Sequence, residues 1–194
     1  MKLKTLGLAL ALWSMAATTV FSQGSSFYFI SSPQSVVGQG ETIVASTTNG
    51  FSFTAAMNAH NGVSLVISSP GRTWNLDFAA PNGATLTAGT YNNAQLWPNQ
   101  AAGNPGMAFT APGFTPLSIV GYFNVLNIQW GPGNSVQAFD ADFLQYDNGL
   151  SSQWNQGSIR FNAINPVPEP GVAALAAAGL LALLFSQRVL RRRP

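Results

Sequence analysis

Apolar and polar residues alternate with a period of two through much of the middle of the chain. Phe51, Phe53, Ala55 and Met57 alternate with small or polar neighbours, and Val63, Leu65 and Ile67 do the same after Asn61-Gly62. Such alternation puts one side of a half-buried strand against a core. The Asn-Gly pair between the runs predicts a hairpin joining 51–57 to 63–68. Residues 27–30 and 42–47 are short β-rich runs, Trp74, Leu76 and Phe78 mark a strand over 74–78, and another is expected near 90–96. The longest pair is 118–130 with 135–146, across a Gly131-Pro132-Gly133-Asn134 turn. Residues 158–163 close the series. Residues 97–117 carry four prolines and no periodicity, which predicts one long loop. No stretch of the middle sustains helical periodicity. The predicted fold is all-β, an antiparallel β-sandwich, with a jelly-roll-like order among the topologies that fit.

The two ends follow other patterns. Lys2 and Lys4 precede an apolar run from Leu6 to Ala17, and Val20-Phe21-Ser22 offers modest side chains for cleavage. Residues 1–22 therefore read as a signal peptide cut after Ser22. Near the other end, Pro166, Pro168 and Pro170 fix φ and remove backbone donors, so 166–170 is expected to be extended and accessible. Residues 171–187 are apolar up to Ser186. A helix there would rise about 25 Å at about 1.5 Å per residue, near the lower limit for a transmembrane helix. Arg188, Arg191, Arg192 and Arg193 follow and place the tail 188–194 in the cytoplasm. The remaining piece, 23–165, is expected to be one extracytoplasmic domain.

Val167-Pro168-Glu169-Pro170, the apolar segment and the arginine cluster resemble a PEP-CTERM sorting signal. The resemblance implies an exosortase-like membrane protease-transpeptidase as partner and cleavage near the motif. It also implies a precursor anchored in the inner membrane, then delivery to the cell surface or extracellular matrix. The same signal goes by the name ice-binding protein C-terminal domain, a label that says nothing about ice. The middle resembles exported, uncharacterised bacterial β-proteins. Gly38-Gln39-Gly40, Trp74-Asn75-Leu76-Asp77-Phe78-Ala79-Ala80-Pro81, Leu86-Thr87-Ala88-Gly89-Thr90-Tyr91 and Gly157-Ser158-Ile159-Arg160-Phe161-Asn162 carry that likeness. Gly121-Tyr122-Phe123-Asn124-Val125 fits it too, but the Cys-Asn pair of some members is missing before it. This second resemblance implies a secreted domain and no particular activity.

Charge narrows the function classes. The formal net charge of +2 comes from the ends. Residues 23–165 hold Arg72 and Arg160 against Glu41, Asp77, Asp140, Asp142 and Asp147, a net of −3. A nucleic-acid partner would need a basic face, and this segment has none. Cysteine is absent, so there is neither a disulfide framework nor thiol chemistry. Asn, Gln, Ser, Thr and Gly supply the polarity instead, which suits an extracellular or matrix setting.

Candidate chemistry is sparse. His60 is the only histidine and would have to serve any Ser-His-Asp triad, but its place beside Asn61-Gly62 reads as a solvated turn. One histidine and no cysteine leave no zinc site. Asp140 and Asp142 share one side of a strand. They read first as an outward polar row whose opposite side, Phe139, Ala141 and Phe143, fills the core. They are also where calcium would bind with Asp147 or Asn148, or where a glycosidase pair would form with Glu41 or Asp77. Flat rings stack on sugar faces, so Trp97, in a polar loop-like setting, is the leading glycan candidate, with Tyr91 and Asn93 beside it. Gly38-Gln39-Gly40 lacks the helix and lysine of a phosphate loop, and Thr85-Leu86-Thr87 is one copy, not a ladder. The expectation is a non-enzymatic surface or matrix protein without cofactor, with a structural or interaction role. A carbohydrate-binding module for exopolysaccharide is the alternative.

Overall fold

The computed structural model describes residues 21–166, with side chains from 24 to 163. Residues 1–20 of the expected signal peptide, the sorting residues Val167, Pro168, Glu169 and Pro170, the apolar segment 171–187, and Arg188, Arg191, Arg192 and Arg193 lie outside the described residues. Among the described residues no helix is long and apolar enough to cross a membrane. One compact unit spans Gln23–Asn165.

The unit is all-β. Its strands are β1 (Phe21–Ser31), β2 (Thr42–Ser46), β3 (Ser52–Met57), β4 (Val63–Ser69), β5 (Arg72–Ala79), β6 (Gly89–Leu96), β7 (Gly106–Thr110), β8 (Ile119–Trp130), β9 (Val136–Asp147) and β10 (Trp154–Pro166). They form one ten-stranded sheet in the order β2-β1-β10-β9-β8-β6-β7-β5-β4-β3, nearly closed into a barrel. The two edge strands, β2 and β3, are consecutive in the chain. A short 3₁₀ turn at Thr47–Asn49, ended by Gly50 at φ 90°, connects them and holds the edges near each other.

The expected hairpins form. Phe53, Ala55 and Met57 of β3 lie opposite Ile67, Leu65 and Val63 of β4, which lie opposite Trp74, Leu76 and Phe78 of β5. The period-two pattern thus stacks three apolar rows on one side of the sheet. β8 and β9 pair across the Pro132–Asn134 turn, with Phe123 opposite Phe143 and Val125 opposite Ala141. Both halves of the curled sheet face one core. Phe27 and Phe29 of β1 meet Trp74 and Phe109, and Phe78 meets Phe123, Phe139 and Phe143, at centroid distances of 5.0–6.3 Å.

Two expectations need correction. Residues 97–117 are not one loop, because β7 runs through them. Gly106, Met107, Ala108 and Phe109 are all buried, so both sides of this strand are covered and no alternation marks it. Nor is the sheet wholly antiparallel, since β6 and β7 run parallel through Gln95 opposite Gly106 and Leu96 opposite Met107. The cause is a bulge between Asn92 and Ala94. β6 pairs antiparallel with β8 up to Ala94, just past the bulge, and its last residues, Gln95 and Leu96, pair with β7 instead.

Candidate functional site

The alternation of β9 turns Phe139, Ala141 and Phe143 inward, and the same phase carries Gln145 and Asp147 inward as well. Asp147 is fully buried and meets no cation among the described residues. Its carboxylate accepts from Gln145 Nε2 (2.8 Å), from Asn155 Nδ2 (3.0 and 3.1 Å) and from the backbone N–H of Val36 (2.8 Å). Ser35 Oγ lies 3.0 Å from Asp147 Oδ2 and 2.6 Å from Asn155 Oδ1, and its single proton serves one of them. Ser35 Oγ in turn accepts from Gly38 N at 2.9 Å. Gly38-Gln39-Gly40 is therefore the turn that closes this cluster. A Cβ at Gly38 would come within 2.8 Å of Asn155 Oδ1, and Gln39 and Gly40 sit at φ 48° and 85°. Asp147, named beside the calcium candidates, is spoken for by these donors.

Asp140 and Asp142 point outward, with Phe139, Ala141 and Phe143 on the opposite side. Arg160 pairs across from Asp140 on β10 and bonds Asp142 Oδ1 at 2.8 Å. Burial pushes the Asp140 carboxyl above the ordinary aspartate range, against the pull of Arg160. Among the described residues no three His, Cys, Asp or Glu side chains gather as a metal site. Asp77 stands apart from Asp140 and Asp142 on β5, bonded to Ser64 Oγ and flanked in the sheet by Ala108. Burial raises its carboxyl to about 6, with the Ser64 bond opposing.

His60 is half-buried rather than solvated. Gln100 Nε2 donates to its Nδ1 at 2.7 Å, and its ring meets Trp97 edge-on at 6.4 Å. No serine or aspartate side chain bonds it among the described residues. Trp97 is half-buried too, and its indole nitrogen is buried with no hydrogen-bond partner among the described residues. Tyr91 stacks on Phe123 (4.7 Å, 14°) and its hydroxyl donates to Thr87 O at 3.0 Å. Asn93 is exposed at φ 56°, in the bulge of β6. No hydrogen bond or ring contact joins Trp97 to Tyr91 or Asn93 among the described residues.

The outer side of β1, β10, β9 and β8 gathers a different set. One row across the strands is Ser158, Asp142, Asn124 and Thr90; the next is Gln156, Leu144, Tyr122 and Asn92; the third is Trp154, Tyr146 and Val120. Tyr28 on neighbouring β1 is 42% exposed and Tyr122 44%. Tyr28, Tyr122, Asn124, Asp142, Gln156 and Ser158 line a shallow groove of about 390 Å³. These residues carry a signal that sequence reasoning passed over. Tyr28 lies between Phe27 and Phe29, and Tyr122 precedes Phe123, so both tyrosines are out of phase with the core. A large ring out of phase is an exposed ring.

No family model matches the chain, and comparisons with curated proteins and with solved structures give no match.

Proposed function

We propose that this is an exported cell-surface or extracellular-matrix protein, sorted through a PEP-CTERM signal by an exosortase-like protease, with a non-enzymatic structural or interaction role. The observation that carries it is the order of Val167-Pro168-Glu169-Pro170, an apolar stretch over 171–187, and Arg188 with Arg191 to Arg193, in a chain that opens on a signal-like segment. In this scheme the precursor sits in the inner membrane by residues 171–187 and then passes to the surface. The domain 23–165 is read as the displayed part, a jelly-roll-like sandwich in which the two halves of the curled sheet act as facing layers. Ring contacts between β1 and β5 across the core support that description.

The test is to replace Pro168, Glu169 and Pro170 with alanine in a cell that holds an exosortase. The variant is expected to keep its full length and to lose surface display. Unchanged size and display would overturn the proposal. The second reading, a carbohydrate-binding module for exopolysaccharide, is favoured by the exposed rings and uncharged polar side chains on the outer side of the sheet.

A further inference from the structure

We infer that the groove across β1, β10, β9 and β8 binds an uncharged polysaccharide strand, with Tyr28 and Tyr122 as its stacking platforms. The inference rests on the carbohydrate reading and places its site away from Trp97. Tyr28 and Tyr122 stand on strands separated by two others, β10 and β9. Three interstrand steps of about 4.8 Å set the two backbones roughly 14 Å apart. Between them lie Ser158, Gln156 and Asp142 around the half-buried Leu144, with Asn124 beside Tyr122.

A sugar chain offers two chemistries. Its axial C–H faces pack on flat rings, and its hydroxyls both donate and accept hydrogen bonds. The groove supplies both in that order: ring, polar patch, ring. Tyr28, Tyr122, Gln156 and Ser158 make no side-chain hydrogen bond among the described residues, so their capacity is open to a ligand. Asn124 uses only its Oδ1, which accepts from Thr90 at 3.0 Å, and its amide N–H groups stay open. Primary amides and hydroxyls match sugar hydroxyls in either direction.

Charge selects the neutral class. The single carboxylate in the lining, Asp142, is bonded to Arg160 at 2.8 Å, so the groove offers no unopposed cation to an acidic polymer. The domain as a whole is net negative and would repel one. The Trp97 loop compares poorly. Its ring packs against His60, its indole nitrogen is buried, and Tyr91, the other ring of that candidate set, has one face closed by Phe123.

Affinity electrophoresis of the full chain in detergent tests the inference, with hydroxyethylcellulose, galactomannan and dextran in the gels and alginate as the anionic comparison. At least one neutral polymer should retard the protein. Tyr122→Ala and Tyr28→Ala should each weaken that retention roughly tenfold, while Trp97→Ala leaves it unchanged. Gln156→Ala, at an exposed position, should weaken it less, and circular dichroism confirms that each variant is folded. Retention lost with Trp97→Ala but kept by both tyrosine variants overturns the site and leaves the carbohydrate reading standing. Retention by alginate alone, fading with salt, overturns the neutral class. No retention in any gel overturns the carbohydrate reading and the inference with it.

Discussion

Two buried carboxylates, Asp147 and Asp77, sit in different hydrogen-bond surroundings. Asp147 is surrounded by donors, and Asp77 has chiefly Ser64. Removing the first acceptor would strand Val36 N–H, Gln145 Nε2 and Asn155 Nδ2 without water. Asp147→Ala should therefore cost about 3–5 kcal/mol in a urea melt. Asp77 has fewer donors, and burial dominates it. Its carboxyl is raised from 3.8 to about 6, so the folded chain holds a proton that the unfolded chain has already released. The stabilisation is complete below the unfolded value and fades as pH rises through the folded one. Between about pH 4 and pH 6 the parent should lose on the order of 2–3 kcal/mol that Asp77→Asn does not lose. Urea midpoints of the two proteins across that window give the comparison; parallel curves would sink the assignment. Phe143 illustrates the apolar counterpart. It is 2% exposed and meets Phe27, Phe78 and Phe109. Phe143→Ala should cost about 3–5 kcal/mol.

At the scale of elements, β7 is the instructive case. Its ladder with β6 extends over two residue pairs, which leaves Phe109 beyond the reach of that strand. The side chain of Gln145 stands in for the missing partner. Its Oε1 accepts from Phe109 N at 2.8 Å and its Nε2 donates to Phe109 O at 3.0 Å. A primary amide thus copies a peptide group, from the strand facing β7 across the core. Gln145→Leu fills the space but supplies neither bond, and should cost about 2–4 kcal/mol. Protection of the Phe109 amide against hydrogen exchange should fall with it, more than protection in β4. Neither β7 nor this bond was legible in the sequence. A strand covered on both sides loses its period, and Gln145 and Phe109 are far apart in the chain. The pairs 51–57 with 63–68 and 118–130 with 135–146 were legible because each buries one side and turns on local Asn, Gly or Pro chemistry. For the groove the opposite held. Its tyrosines were readable as rings out of phase, but which strands stand side by side depends on the sheet order, and no local pattern encodes that.

At the scale of the whole domain, the first described strand joins the last. β1 and β10 are neighbours in the sheet, and Asn162 N donates to Ser25 Oγ at 3.1 Å. The compact unit therefore begins and ends in nearly the same place, with Gln23 and Asn165 as its limits. In terms of connectivity the domain is close to a ring cut between these two strands, and the position of the cut is arbitrary to the packing. A short Gly-Ser bridge from Asn165 to Gln23 should close it. The turn at Pro70-Gly71 is exposed, with Gly71 at φ 79°, and can carry new ends. The circular permutant that starts at Gly71 and ends at Pro70 should show the parent's circular dichroism, and its urea midpoint should stay close to the parent's. Its folding should slow or quicken according to which pairings become local, so the same native contacts would be reached by a different route.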